Sequence, residues 1–62
     1  MIDLRKLRVE NGMTQEQLAA EIKTTRTVIT NIENGVALPS IPTAKALGEI
    51  LNFEWWKFFT TE

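Results

Sequence analysis

The sequence predicts an all-α domain built from short helices, and three observations carry that expectation. Apolar residues recur three and four positions apart in separate stretches of the chain. Most of these stretches are preceded by Asp, Thr or Ser, residues whose side-chain oxygens satisfy the free N–H groups at a helix start. Two of them, Gln15 to Ile22 and Arg26 to Asn34, are separated only by Lys23-Thr24-Thr25, the spacing of a helix-turn-helix. With 62 residues there is room for one small domain, residues 1–62. A domain of this size buries about 60% of its unfolded surface, so its stability is modest or shared with a partner subunit.

The first helix is expected from Leu4 to Glu10, capped by Asp3. Leu4 and Leu7 share its inner face, while Arg5 and Lys6 are solvated. Asn11-Gly12 ends it, because glycine accepts the left-handed conformation a helix end requires. Met13 then sits as a hydrophobic staple before Thr14, and Thr14 with Gln17 makes a capping box that opens the second helix. Leu18, Ala19 and Ile22 give that helix one apolar face. Thr25 caps the third, whose inward residues are Ile29 and Ile32, with Val28 either at the core rim or free to meet a thymine methyl, and Asn34-Gly35 stops it. Leu38 in the following loop is expected in the core. Ser40 caps a fourth helix from Ile41 to Leu51, where Pro42 is tolerated in the first turn. Its inner face is read as Ile41, Ala44, Leu47 and Leu51, with Ile50 adjacent, and Asn52 ends it. Phe53 to Phe59 is the densest apolar stretch of the chain.

Composition removes several classes of function. The chain has no cysteine and no histidine, so it has neither a thiolate metal site nor the commonest general base and metal ligand. No nucleophile, base and orienting group form a recognisable set, and no cofactor, metal or small-molecule substrate is expected. No apolar run approaches the roughly 20 residues of a membrane span, and no signal-peptide pattern opens the chain, so a cytoplasmic protein is the expectation. The formal net charge is −1. A nucleic-acid-binding domain usually shows a basic footprint, but the distribution of charge matters more than its sum. Arg5, Lys6 and Arg8 cluster on the first helix, and Lys23 and Arg26 flank the turn. Asp3, Glu10, Glu49, Glu54 and Glu62 fall elsewhere, whereas Glu16 and Glu21 lie near the helix-turn-helix face and lower the expected affinity for an anion.

On the third helix, Arg26, Thr27, Thr30 and Asn31 project away from Ile29 and Ile32 and lie one turn apart in pairs. Their chemistry suits the base edges of a major groove. Arginine bonds bidentately to guanine, asparagine to adenine, and threonine meets a polar partner or a thymine methyl. A solvated polar face is the plainer account of the same four residues. Gln15, at the start of the second helix, is placed where side chain and backbone amides meet a phosphate.

Gly12-Met13-Thr14-Gln15-Glu16-Gln17-Leu18-Ala19, Ile29-Thr30-Asn31-Ile32-Glu33-Asn34-Gly35 and the Pro39-Ser40 pair, in that order and spacing, resemble the helix-turn-helix family of the phage Cro and lambda repressors, also called the XRE family. The resemblance covers nearly the whole chain. It implies a lambda-repressor-like fold of five short helices, the fifth formed by Phe53 to Phe59 and closing the core through Phe53, Trp55 and Phe58. It implies an ion pair between Arg8 and Glu33, and a small residue at Ala19 where two helices cross. Lys23 departs from the pattern, since relatives usually carry glycine there in a left-handed turn. For function the resemblance implies sequence-specific binding of double-stranded DNA by a small repressor-like regulator. Arg26, Thr27 and Asn31 would read bases, with Gln15, Lys23, Thr25 and Asn34 on phosphates. Members of the family commonly bind as dimers, which makes Trp56 and Phe59, in excess of what the core needs, a possible homodimer interface. The loop Val36 to Pro39 lacks the cations many relatives carry. Together with the acidic balance and the aromatic C-terminus, this supports an alternative, a protein-interaction module on a helix-turn-helix scaffold, antitoxin-like or repressor-modulating.

Overall fold

A computed structural model describes residues 2–59, so Glu62 lies outside the described residues. They form four α-helices followed by a single 3₁₀ turn, with no strand among the described residues: α1 Leu4–Glu10, α2 Gln15–Glu21, α3 Arg26–Glu33, α4 Ile41–Leu51, and the 3₁₀ turn Trp55–Phe59. The expected fifth helix is thus a short 3₁₀ segment. The segment is only five residues long and is wound in the tighter i→i+3 pattern that proteins use in short pieces, the amide of Lys57 donating to the Glu54 carbonyl at 3.1 Å in that spacing. No helix among the described residues is long and apolar enough to cross a membrane.

Each α-helix starts on the cap that its sequence provides. Asp3, Thr14, Thr25 and Ser40 are extended and accept from the amides of Lys6, Gln17, Val28 and Thr43. At α2 the capping box is complete, the Thr14 amide donating to Gln17 Oε1 at 2.8 Å.

The helices also end alike, each running into a left-handed residue: Gly12 (φ 69°), Lys23 (φ 59°), Gly35 (φ 73°) and Asn52 (φ 60°). The amide after each folds back onto a carbonyl of the last turn, Met13 to Arg8, Thr24 to Ala19, Val36 to Asn31 and Phe53 to Gly48, at 2.9–3.1 Å. This closure satisfies carbonyls that the helix leaves open and turns the chain sharply. At Lys23 it sets the break between α2 and α3.

The core is one cluster. Leu4 of α1, Leu18 and Ala19 of α2, Ile29 and Ile32 of α3, and Ala44, Leu47 and Leu51 of α4 are buried, and Phe58 closes the open end. Phe53 and Trp55 are half-buried against it, and the Phe53 and Phe58 rings meet edge-on at 5.4 Å. Gly48 is buried where α4 meets the chain leading into the 3₁₀ turn. A Cβ there would lie 2.8 Å from the Phe53 carbonyl oxygen and 3.0 Å from Trp55 Cβ.

Two core expectations are corrected. Leu38 is 61% and Ile41 54% exposed. Pro39, between Leu38 and the cap Ser40, is the buried residue of the loop. With Pro39 turned inward, its neighbour Leu38 is directed out, and Ile41 stands on the first turn of α4, ahead of the stripe Ala44, Leu47, Gly48 and Leu51 that meets the other helices.

Candidate nucleic-acid interface

The helix-turn-helix is assembled by burial on one side and polar ties on the other. Leu18 and Ala19 of α2 face Ile29 and Ile32 of α3. Ala19 is 4% exposed, and a small side chain there lets the helices approach. On the outer face, Arg26, Thr27 and Val28 are exposed, and Thr30 and Asn31 are half-buried. Thr27 and Asn31, one turn apart, share that face. Asn31 also lines a shallow recess with Thr24, Val28 and Thr43. Thr30 stands nearer α2, its hydroxyl 3.4 Å from Gln15 Oε1.

Gln15 ties the two helices together. Its Nε2 donates to Glu33 Oε1 at 3.0 Å, and its Oε1 accepts from Arg26 Nε at 3.0 Å. Sequence reasoning assigned Gln15 to a phosphate. The structure adds an internal role, linking the end of α3 to its beginning, and one amide hydrogen remains for an external acceptor. The partners lie 11 and 18 residues away, beyond any local pattern.

Glu33 collects donors from three parts of the chain. Arg8 Nε reaches Oε2 at 2.6 Å and Arg8 Nη2 reaches Oε1 at 3.4 Å, while Arg5 Nε and Gln15 Nε2 also donate to Oε1. The expected Arg8–Glu33 pair is therefore present, and Arg8 Nη1 also donates to the Met13 carbonyl at 2.8 Å. Burial pushes the Glu33 carboxyl upward. The hydrogen bonds from Arg8, Gln15 and Arg5 and the charge of Arg8 outweigh it and hold the group below its ordinary value.

The remaining candidate contacts lie around the turn and the two ends of α3. Lys23 is exposed on the left-handed turn, and Thr25 is the α3 cap. Asn34 Oδ1 accepts from Arg5 Nη2 at 3.1 Å, which leaves its amide hydrogens to donate. Arg5 is well exposed, as expected, and from there it also donates to Glu33 and Asn34. Two of the three cations of the α1 cluster are thus engaged within the chain.

A family model described as helix-turn-helix matches residues 4–55. The chain belongs to that helix-turn-helix family. It is also 45% identical over 56 residues to the "Uncharacterized HTH-type transcriptional regulator YqaF" of Bacillus subtilis (strain 168), across 90% of this chain and 74% of that protein. As a member of the XRE-type helix-turn-helix family, the protein has the second-helix and third-helix strings that carried the resemblance on the two helices joined at Lys23. Trp56 and Phe59 are 46% and 43% exposed, outside the core as the sequence suggested. Lys57 Nζ stands 5.9 Å from the Trp56 ring centre.

Proposed function

We propose that this helix-turn-helix protein is a small repressor-like transcriptional regulator that binds double-stranded DNA sequence-specifically, with α3 in the major groove. The observation that carries the reading is the division of α3. Ile29 and Ile32 are buried, while Arg26 and Thr27 are exposed and Asn31 is half-buried. Arg26 would meet guanine, Asn31 adenine, and Thr27 a polar edge or a methyl group, with Thr30 at the inner margin of the same face. Gln15, Lys23, Thr25 and Asn34 surround that face and would anchor phosphates, fixing register without reading sequence. The membership of the family and the relative described as a transcriptional regulator support the same reading.

The protein would act in the cytoplasm as a homodimer, with the exposed Trp56 and Phe59 meeting a second copy. Two-fold symmetry would then appear in the DNA as two half-sites about 34–36 Å apart.

The second reading, a protein-interaction module, is favoured by a different observation. Val36, Leu38 and Ile41 are exposed on an uncharged stretch next to α3, where a cation would be expected to hold the DNA backbone.

Selection from a randomised duplex pool at two salt concentrations tests the proposal. An enriched palindrome, with affinity falling steeply as salt rises, is the expected result. No enrichment, at concentrations where the protein is folded, would overturn it in favour of the protein partner.

A further inference from the structure

Val28 is an apolar residue on the exposed part of α3. It is 36% exposed, and the buried core closes through Ile29 and Ile32 without it. A β-branched side chain is among the poorer helix formers, so helix formation does not call for it either. Asn31 follows three positions later, the spacing that makes two side chains neighbours on a helix surface. Both line the same shallow recess, together with Thr24 before the helix and Ala37 and Leu38 after it. The recess therefore sets apolar side chains beside the Asn31 amide.

We propose that Val28 is a specificity-determining residue: it reads a thymine methyl, in the base pair that Asn31 reads or in the next one. The proposal rests on the DNA-binding reading above. Of the groups on the major-groove edges of the four bases, the thymine C5-methyl alone is apolar. An asparagine bonded to adenine brings an A·T pair against the helix, so a thymine methyl is present in that same pair whatever the flanking sequence. No contact of the free protein has to be broken for Val28 to meet it. The exposed part of the side chain leaves water, as does the methyl, and burial of both is favourable. The contact carries no charge, so its contribution does not fall with salt as phosphate contacts do.

The test is a double-mutant cycle between protein and DNA. Deoxyuridine differs from thymidine only in lacking the methyl. Each thymine of the selected duplex is replaced in turn by dU, and wild type and Val28→Ala are titrated against the whole set. Alanine favours the helix, and thermal unfolding confirms that the variant is folded. Wild type is expected to bind about three- to fivefold more weakly when one particular thymine becomes dU, the worth of about one buried methyl. That thymine lies within one base pair of the position whose preference Asn31→Ala relaxes. Val28→Ala is weaker by a similar factor on the thymine duplex, has an unchanged salt dependence, and shows little further loss with dU. The proposal is overturned if every dU duplex binds wild type as the thymine duplex does. It is also overturned if the loss persists in Val28→Ala, which would assign the methyl to another residue or to DNA shape, or if the coupled thymine lies further away. Failure of the wild type to enrich any duplex overturns the DNA-binding reading itself, and is seen before any dU duplex is made.

Discussion

Arg8 of α1 and Glu33 at the end of α3 form an ion pair at 2.6 Å, with side chains only 12% and 0% exposed. The pair joins the first helix to the last residue of the third, and Gln15 extends it to the start of that helix. The orientation of α3 relative to the rest of the domain therefore rests partly on one carboxylate.

Glu33→Ala is expected to destabilise the domain by about 3–5 kcal/mol, because it strands the Arg8 guanidinium in a largely buried site. A chain of this size is stable by roughly 3–9 kcal/mol, so the variant is close to unfolded. Replacing both partners, Arg8→Met with Glu33→Leu, should recover most of the loss, since the desolvation cost disappears with the charges. Urea unfolding measures both. A loss below about 1 kcal/mol for Glu33→Ala would mean that the pair is no more than a surface contact.

The same carboxylate makes stability depend on pH. Its value in the folded protein is lowered from the ordinary 4.5. The unfolded chain therefore takes up a proton first as pH falls, and folding is favoured while Glu33 is ionised. Its contribution is complete above the unfolded value and declines as pH falls from there through the lower folded value. Unfolding midpoints between pH 7 and pH 3 should show this fall, and Glu33→Gln, even if less stable throughout, should show a shallower one. Identical slopes would assign the acid sensitivity to other carboxylates.

Helix starts and stops were legible because they are local. Asp3, Thr14, Thr25 and Ser40 cap where their chemistry says they should. The boundaries of α1 and α4 match the expected ones, and α2 and α3 end one residue earlier, at their caps Ile22 and Asn34. Leu38 and Ile41 were misread because periodicity gives the phase of a helix face without saying where its neighbours stop. The stripe of α4 continues in phase through Ile41, but its first turn overhangs the core, and Pro39 takes the inward place. The polar ties of Gln15 and Arg5 were illegible for another reason: each depends on a partner brought close only by the finished fold. Gly48 carried an unread signal, since a glycine inside a helical pattern marks a close approach.

Lys23 adopts φ 59°, a region costly for a residue with a side chain. Lys23→Gly should raise stability by about 1 kcal/mol. If Lys23 also meets a phosphate, the variant lowers the salt dependence of DNA binding by about one counterion. Denaturant unfolding and a salt titration separate the two effects, and a less stable glycine variant would contradict the strain argument.

Gly48→Ala places a methyl group 2.8 Å from the Phe53 carbonyl oxygen and 3.0 Å from Trp55 Cβ. Backbone must move to admit it, at a cost of about 1–3 kcal/mol. Because the shift falls on the link to the 3₁₀ turn, tryptophan fluorescence should change with stability. A neutral substitution would mean that the segment after α4 adapts freely.

The central claim is that α3 reads base edges, and Asn31 tests it most directly. Asn31→Ala is titrated against the selected duplex, its single-base-pair variants and random DNA at one salt concentration. The account predicts a loss of about 1–3 kcal/mol on the selected duplex, a relaxed preference at one base pair, and little change on random DNA. An equal loss on all duplexes, with base preference intact, would contradict it and leave Asn31 as part of the scaffold.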